Sequence, residues 1–292
     1  AFVAGLALRI AVIAAVTPAA VAAWFAPFLG DGPGLLTLDP WNQWLDGSGG
    51  SDLAFPYGYA MWLYLKPIVG LLGALGIGSA LGYMVALLIA DLALFVLMNR
   101  LLPGRYKAVT LAYWLSPIVI VAVYVFGAND VVPVALLVAA LVLLQARRPA
   151  WAGALLALAI CSKLSMLLAL PFIVILFMHN GNLRRQGGPF LLAFAPVALV
   201  LAAIPLAASA SARTMVLGNP EVAKIYDLGL ESLDVTLVYI VPLAYALLLY
   251  SVWRIRRPNL TLMISLMGLA FLLVVLMTPA SPGWFVWILP FL

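Results

Sequence analysis

Asp39 combines a carboxylate with a local sequence that fixes its orientation. It precedes Pro40, and the polar and aromatic stretch 40–47 ends in glycine. An Asp followed by Pro at the first helical position is typical of the N-cap of a short helix. The rigidly held carboxylate is then either a helix cap alone or also a general base that faces a cavity. We interpret the nearby Asp46 and Asp52 as solvated acids.

Metal chemistry has little support in the sequence. The segment around Asp39 contains no Asp-X-Asp pair, which would bring two oxygen ligands together. The only histidine, His179, falls at the edge of an apolar stretch and leaves no ligand set for a metallopeptidase or a similar enzyme. A divalent metal therefore stays an open alternative, and no other cofactor is predicted.

Isolated basic side chains are candidates for contacting a negatively charged ligand. Lys163 interrupts an apolar stretch, where an unpaired charge is costly, so it either lines a polar cavity or pairs with a helix end. Lys66 either extends to the membrane interface or holds a phosphate. Arg213 and Lys224 flank the sequence Asn219-Pro220-Glu221, and they either contact a ligand or belong to an ordinary solvated loop.

Three further charges lie close to apolar segments. Asp130 ends a Gly-Ala-Asn-Asp turn, and it either caps the helix that follows or faces a functional cavity. Arg9 and Asp91 each stand alone in a long apolar run. We interpret these two residues as structural partners between helices, because a charge inside a membrane needs a counter-charge.

Composition places the chain among helical membrane proteins. Its 292 residues are 66% hydrophobic and 9% charged, with a mean hydropathy of +1.18. Apolar runs of this length have no soluble explanation. The net charge of +5 is attributed to membrane topology and contact with anionic lipids, so no nucleic-acid partner is predicted. Cys161 lies in an apolar run and is expected in the core.

Charged residues are segregated along the chain. Ten of the fifteen basic residues fall in clusters between apolar stretches: Arg100/Arg105/Lys107, Arg147/Arg148, Arg184/Arg185 and Arg254/Arg256/Arg257. Most acids gather in two other segments: Asp31/Asp39/Asp46/Asp52 and Glu221/Asp227/Glu231/Asp234. Basic loops mark the cytoplasmic side of a membrane protein. We therefore expect both acidic segments on the outer side.

This partition fixes the order of the membrane segments. We predict outward crossings at 1–29, 108–126, 189–208 and 260–278, inward crossings at 79–98, 131–145 and 235–253, outer loops at 30–55 and 209–233, and a last span from Trp284. A crossing at 57–76 would place Arg100 outside, so we expect a helix there along the outer interface. Segment 151–178 offers about 42 Å of helix where two crossings need about 60 Å. It is therefore predicted to form two short helices that turn back inside the bilayer near Lys163.

Several short motifs together resemble one superfamily. They are the acidic first outer loop with Asp39, Phe55-Pro56-Tyr57-Gly58-Tyr59, Leu97-Met98-Asn99-Arg100-Leu101-Leu102-Pro103, Ser116-Pro117 before Gly127-Ala128-Asn129-Asp130, Ala152-Gly153-Ala154-Leu155 before Cys161-Ser162-Lys163, Leu170-Pro171, and Ser281-Pro282-Gly283-Trp284-Phe285-Val286-Trp287-Ile288-Leu289-Pro290. This set is similar to the GT-C integral membrane glycosyltransferases, in the mannosyltransferase-like branch that uses polyprenyl-phosphate sugars. The resemblance spans nearly the whole chain, and each motif alone is short.

The resemblance implies a fold and an activity. It implies an all-α, polytopic module of about ten membrane helices, with juxtamembrane helices in the first outer loop. We read residues 1–292 as one such domain and expect it to be part of a longer chain. Its members transfer a sugar, with inversion, from a polyprenyl-phosphate donor to a lipid, glycan or protein acceptor. The reaction is implied at the outer face of the inner (plasma) membrane, with Asp39 as the base.

Ten further residues are implied as substrate contacts. Those in the first half of the chain are Trp41, Tyr57, Tyr59, Lys66, Asn129 and Asp130, and those in the second half are Lys163, Arg213, Lys224 and Trp284. The cations would stabilise the leaving phosphate, and Trp41 and Trp284 would either stack on the sugar or anchor the chain at the interface. Some relatives carry an Asp-X-Asp motif that this chain lacks. The competing hypothesis is a lipid-linked sugar flippase or transporter, which buried charges and broken helices also suit.

Overall fold

The computed structural model describes residues 1–232 and 236–291, and helices predominate. The longer ones, in chain order, are α1 (Phe2–Ala15), α2 (Val21–Gly30), α3 (Pro40–Ser48), α4 (Tyr59–Ala74), α5 (Ser79–Leu101), α6 (Tyr106–Trp114), α7 (Pro117–Val125), α8 (Val131–Gln145), α9 (Pro149–Ser162), α10 (Leu164–His179), α11 (Arg184–Ala208), α12 (Ile240–Trp253) and α13 (Leu260–Met277). Shorter helical segments are Ala210–Ala212, Arg213–Leu217, Pro220–Ala223, Lys224–Tyr226, Pro282–Trp287 and Leu289–Phe291.

The chain is mostly helical, as predicted, but it is not strictly all-α. Strands β1 (Gly229–Ser232) and β2 (Thr236–Tyr239) form an antiparallel hairpin in which Gly229 pairs with Tyr239. The predicted outer loop 209–233 therefore contains short helices and the first strand, and α12 begins at residue 240 instead of 235. Asp234, one of the acids assigned to this loop, lies outside the described residues.

Three helices are long and apolar enough to cross a membrane: α5, α11 and α13. The count rises to four if α6 and α7, which meet at a bend of 44°, form one span. The other apolar helices in the described part of the chain have 10–17 residues, fewer than the roughly 20 that one crossing needs. The model thus supports a membrane protein with three or four spans by length, and about ten spans are not confirmed.

Prolines explain several breaks that the apolar pattern hides. The predicted first crossing, 1–29, is divided into α1 and α2 just ahead of Pro18, and the chain is extended at Val16, where α1 ends. Proline lacks an N–H and disfavours the helical conformation of the residue before it. Segment 108–126 is divided in the same way before Pro117. At 284 the predicted last span is replaced by the short 3₁₀ segments of 282–291.

Two predicted local features are confirmed. Asp39 is the N-cap of α3, and its side chain accepts a hydrogen bond from the backbone N–H of Asn42 at 3.0 Å. The helix ends at Gly49, whose φ of 60° is the left-handed conformation that glycine favours. Lys163 separates α9 from α10 and has an extended backbone. The cap follows from local sequence, whereas the break follows from the length of segment 151–178 between two basic clusters.

Backbone contacts hold the break at Lys163 against the segment that precedes α4. The N–H of Gly58 donates a hydrogen bond to the carbonyl of Ser162 at 3.1 Å. A Cβ atom at Gly58 would overlap the carbonyl oxygen of Cys161, so only glycine permits this approach. The contact brings Tyr57 beside Lys163.

Arg9 and Asp91 form the predicted interhelical pair. Arg9 Nε lies 2.6 Å from Asp91 Oδ2, and both side chains are fully buried. The hydroxyls of Tyr113 and Tyr124 also donate to the Asp91 carboxylate, and Arg9 donates to the carbonyl of Trp114 at 2.6 Å. This network joins α1, α5, α6 and α7, and it satisfies a carbonyl next to the break before Pro117.

Candidate functional site

The candidate functional site is a cavity of about 900 Å³ with a mostly apolar wall. Apolar lining side chains include Trp24, Phe25, Phe126, Leu167, Leu168 and Val241. Polar side chains on the wall include two carboxylates, Asp130 and Glu221, and the ammonium group of Lys163. A cavity of this size with few polar groups suits an amphiphilic ligand, since the apolar wall takes a hydrocarbon and the polar groups orient a head group.

One ion pair on this wall joins the turn before α8 to the break between α9 and α10. Lys163 Nζ lies 2.6 Å from Asp130 Oδ1, and the indole N–H of Trp287 donates to the same oxygen at 2.6 Å. The rings of Tyr57 and Trp287 lie 5.5 Å and 5.6 Å from Lys163 Nζ. The ammonium group is thus held by one carboxylate and two aromatic faces.

The other oxygen of Asp130 lies against Gly283. A Cβ atom at Gly283 would overlap Asp130 Oδ2 and would also approach the Cβ of Ala128 to 2.7 Å. No described residue donates a hydrogen bond to Oδ2. Asp130 lines the cavity, and the hydrogen-bonding capacity of this oxygen is unused among the described residues.

A second ion pair comes from the segment between α11 and β1. Lys224 Nζ lies 2.6 Å from Glu221 Oε1, and the hydroxyl of Ser281 donates to Glu221 Oε2 at 2.6 Å. Lys224 also donates to the Ser281 hydroxyl at 3.0 Å, and its Nζ lies 5.7 Å from the ring of Trp284. The carboxylate of Glu221 therefore bridges a cation and a hydroxyl donor.

A stacked tryptophan pair connects the two ion pairs. The rings of Trp284 and Trp287 are 4.8 Å apart with an interplanar angle of 19°. Trp287 contacts Asp130 and Lys163, and Trp284 contacts Lys224. Both rings line the cavity, so they offer a continuous aromatic surface between two charged clusters. Such surfaces bind the apolar faces of sugars as well as hydrocarbon chains.

Tyr57 and Asn129 lie beside the first ion pair. Tyr57 lines the cavity, and burial, together with the nearby Asp130 charge, holds the pKa of its phenol above the ordinary value. Its hydroxyl therefore stays a hydrogen-bond donor at physiological pH. Asn129 is fully buried, and among the described residues neither polar atom of its amide has a hydrogen-bond partner.

The structure divides the predicted site residues into two groups. Tyr57, Asp130, Lys163 and Trp284 line the cavity, and Lys224 adjoins it through Glu221 and Ser281. The others are not among the lining residues; they are Asp39, Trp41, Tyr59, Lys66, Asn129 and Arg213.

Residues of the second group have identifiable structural contacts. Lys66 donates to the carbonyl of Leu29 at 2.7 Å and thereby caps α2, so its ammonium group is engaged inside the protein. Arg213 donates to the carbonyls of Leu206 and Ala207 at the end of α11.

The aromatic members of this group pack around α3. Trp41, expected at the membrane interface, is buried and lies 5.8 Å from the ring of Tyr59. The hydroxyl of Tyr59 donates to the carbonyl of Thr37 at 2.9 Å. An aromatic pair therefore supports the segment that carries Asp39, because it anchors the residues on both sides of it.

Four residues of the site were not predicted from the sequence. Trp287, Ser281 and Gly283 belong to the motif at the end of the chain, and Glu221 belongs to the segment between Arg213 and Lys224, which the sequence leaves open as a ligand contact or a solvated loop. The close spacing of two tryptophans and a Ser-Pro-Gly turn is the signal that could have found the first three. For Glu221 the signal is Lys224 three positions on, which forms its ion pair, whereas its partner Ser281 is sixty positions away and has no local signal.

No three His, Cys, Asp or Glu side chains in the described part of the chain are grouped closely enough to hold a metal ion.

The chain matches no protein-family model, and no curated protein and no solved structure matches it significantly. The geometry of the cavity is therefore the basis on which a function is inferred.

Proposed function

We propose that this protein is an inverting GT-C-type glycosyltransferase that moves a sugar from a polyprenyl-phosphate donor to an acceptor at the outer face of the inner membrane. The proposal includes a polytopic module in which the short apolar helices complete the membrane domain around α5, α11 and α13. Mannose or another hexose or pentose is the proposed sugar. The acceptor is a lipid, a glycan or a protein.

The observation that carries the proposal is the chemistry of the cavity wall. An apolar surface of this extent accommodates a polyprenyl chain, while Lys163 and the Trp284–Trp287 stack lie on the wall and Lys224 adjoins it beside Trp284. A sugar phosphate on a hydrocarbon chain presents three complementary groups. Its apolar tail matches the apolar surface, its anionic phosphate matches the cations, and its sugar face matches the aromatic stack. In a site of low dielectric, cations stabilise the charge that develops on the leaving phosphate.

Asp39 is the proposed base. Its Oδ1 caps α3, and no described side chain or backbone N–H donates to its Oδ2. Because Asp39 is not on the cavity wall, the proposal requires the acceptor hydroxyl to approach from the side of α3 while the donor occupies the cavity. A positioned carboxylate that removes the hydroxyl proton contributes about 10²–10⁴-fold. Asp130, engaged by Lys163 and Trp287, is the proposed anchor of the cationic group and a hydrogen-bond acceptor for the donor sugar.

The test is a transfer assay in proteoliposomes with a panel of radiolabelled polyprenyl-phosphate sugars. We expect label to leave one donor lipid and to appear on an acceptor, with no loss of label in protein-free liposomes. Movement of intact donor lipid between leaflets without loss of the sugar would instead identify a flippase. That result would contradict the proposed reaction, although it would agree with the same cavity.

A further inference from the structure

We infer that the carboxylate of Glu221 and a phosphoryl group of the ligand compete for one position, beside Lys224 and Ser281. This inference rests on the proposed function, because it names the cavity's ligand as a phosphate monoester. Glu221, Lys224 and Ser281 together define what we call the latch.

The contacts of the latch are those that a phosphate group would receive. One oxygen of Glu221 lies 2.6 Å from Lys224 Nζ, and the other accepts a hydrogen bond from the Ser281 hydroxyl at 2.6 Å. An ammonium group and a hydroxyl on adjacent oxygens of one anion are also a suitable set for a phosphoryl group. The carboxylate and an incoming phosphate therefore compete for the same two donors.

Burial decides which of the two cavity carboxylates can be displaced. The side chain of Asp130 is 4% exposed and binds both Lys163 and Trp287, so its displacement would leave a buried carboxylate without partners. The side chain of Glu221 is 39% exposed, so it can return to water when it leaves Lys224. A partly exposed pair contributes little net stability, and exchange at Glu221 is therefore the easier of the two.

The two donors of the latch come from different segments of the chain. Glu221 lies in the four-residue helix Pro220–Ala223, which is capped by the Asn219 side chain and followed by the single turn Lys224–Tyr226. Ser281 instead belongs to the turn before Trp284, whose N–H donates to the Ser281 carbonyl at 2.9 Å. A phosphoryl group that replaced the Glu221 carboxylate would be held by both donors, so it would join the two segments as Glu221 does. The latch thus exchanges one anion for another between the same two donors.

The test measures binding of farnesyl monophosphate, inorganic phosphate and farnesol to the full chain in nanodiscs. Glu221→Gln removes the competing charge and keeps a side chain of the same shape, so we expect farnesyl monophosphate to bind about three- to tenfold more tightly. Glu231→Gln, on exposed strand β1, makes the same charge change outside the latch and should leave affinity unchanged. Farnesol affinity should be the same in all variants. If Glu221→Gln raises the affinity for inorganic phosphate as much as the affinity for farnesyl monophosphate, the latch binds free phosphate and not a lipid head group.

A double-mutant cycle separates competition from simple charge repulsion. If Glu221 competes for Lys224, the gain from Glu221→Gln should largely disappear in a Lys224→Met background. If Glu221→Gln raises the affinity equally with Lys224 and with Lys224→Met, the substitution has only removed a nearby like charge. That result would contradict competition for Lys224 and overturn the latch. Unchanged affinity of Glu221→Gln in a protein that still transfers sugar would overturn the latch alone. If Glu221→Gln binds farnesyl monophosphate more tightly but neither the wild type nor any variant transfers sugar, the latch is supported and the proposed glycosyltransferase activity is contradicted.

Discussion

Asp130 and Lys163 are thirty-three positions apart in sequence, and their side chains meet at 2.6 Å on the wall of the cavity. The pair connects the turn before α8 with the break between α9 and α10. Trp287, from the other end of the chain, donates to the same carboxylate oxygen. Three separate parts of the chain thus converge on one charged group.

Asp39→Asn should separate the two roles of Asp39. Asn and Asp are nearly equal N-caps, so the thermal unfolding midpoint should change little. Asn cannot accept the proton of the acceptor at neutral pH, so turnover in the liposome assay should fall at least about a hundredfold. Donor-lipid binding should be retained, and Asp46→Asn should have a milder effect. Wild-type transfer by Asp39→Asn, together with an inactive Asp130→Asn, would assign the base to the cavity carboxylate.

Lys163→Met should lower both stability and transfer, because it leaves Asp130 with only the Trp287 hydrogen bond. Breaking a buried ion pair on one side costs about 3–5 kcal/mol, and the partial exposure of Lys163 places the expected loss below that range. The double variant Asp130→Asn/Lys163→Met removes both charges, so its unfolding temperature should recover toward that of the wild type. Transfer should stay lost in the double variant. A well-folded Lys163→Met protein with wild-type turnover would remove this lysine from the site.

Gly283→Ala should impair the site by displacing Asp130. The added methyl group would overlap Asp130 Oδ2 and crowd Ala128, so we expect transfer to fall at least tenfold with a lower unfolding temperature. Gly34→Ala is the matched control, since a Cβ atom at Gly34 has nothing within 4 Å. Equal activity of the two variants would show that the contact between Gly283 and Asp130 is not required.

Accessibility to an impermeant thiol reagent tests the topology. Cysteines at exposed positions 48 and 223 should react from outside in intact cells, and those at exposed positions 107 and 182 should react only after permeabilisation. The native Cys161 is buried and should give little background. Labelling of position 107 from outside would overturn the interfacial placement of α4 and the order of crossings that depends on it.

Local sequence determined the features that depend on neighbouring residues. The Asp-Pro pair specified the cap of α3. The break at Lys163 instead followed from the length of segment 151–178 between two basic clusters, which is too short for two full crossings. Composition determined a membrane protein rich in helices, because long apolar stretches have to be removed from water.

Only the tertiary structure decided which polar residues share a site. Glu221 meets Ser281 across sixty positions and Trp287 meets Asp130 across 157, and neither distance follows from any local pattern. Lys66, alone in its apolar stretch, is used to cap α2 and does not reach the cavity. The physical reason is that a buried charge takes whichever partner helix packing brings within hydrogen-bond distance, and that packing depends on contacts between elements far apart in the chain.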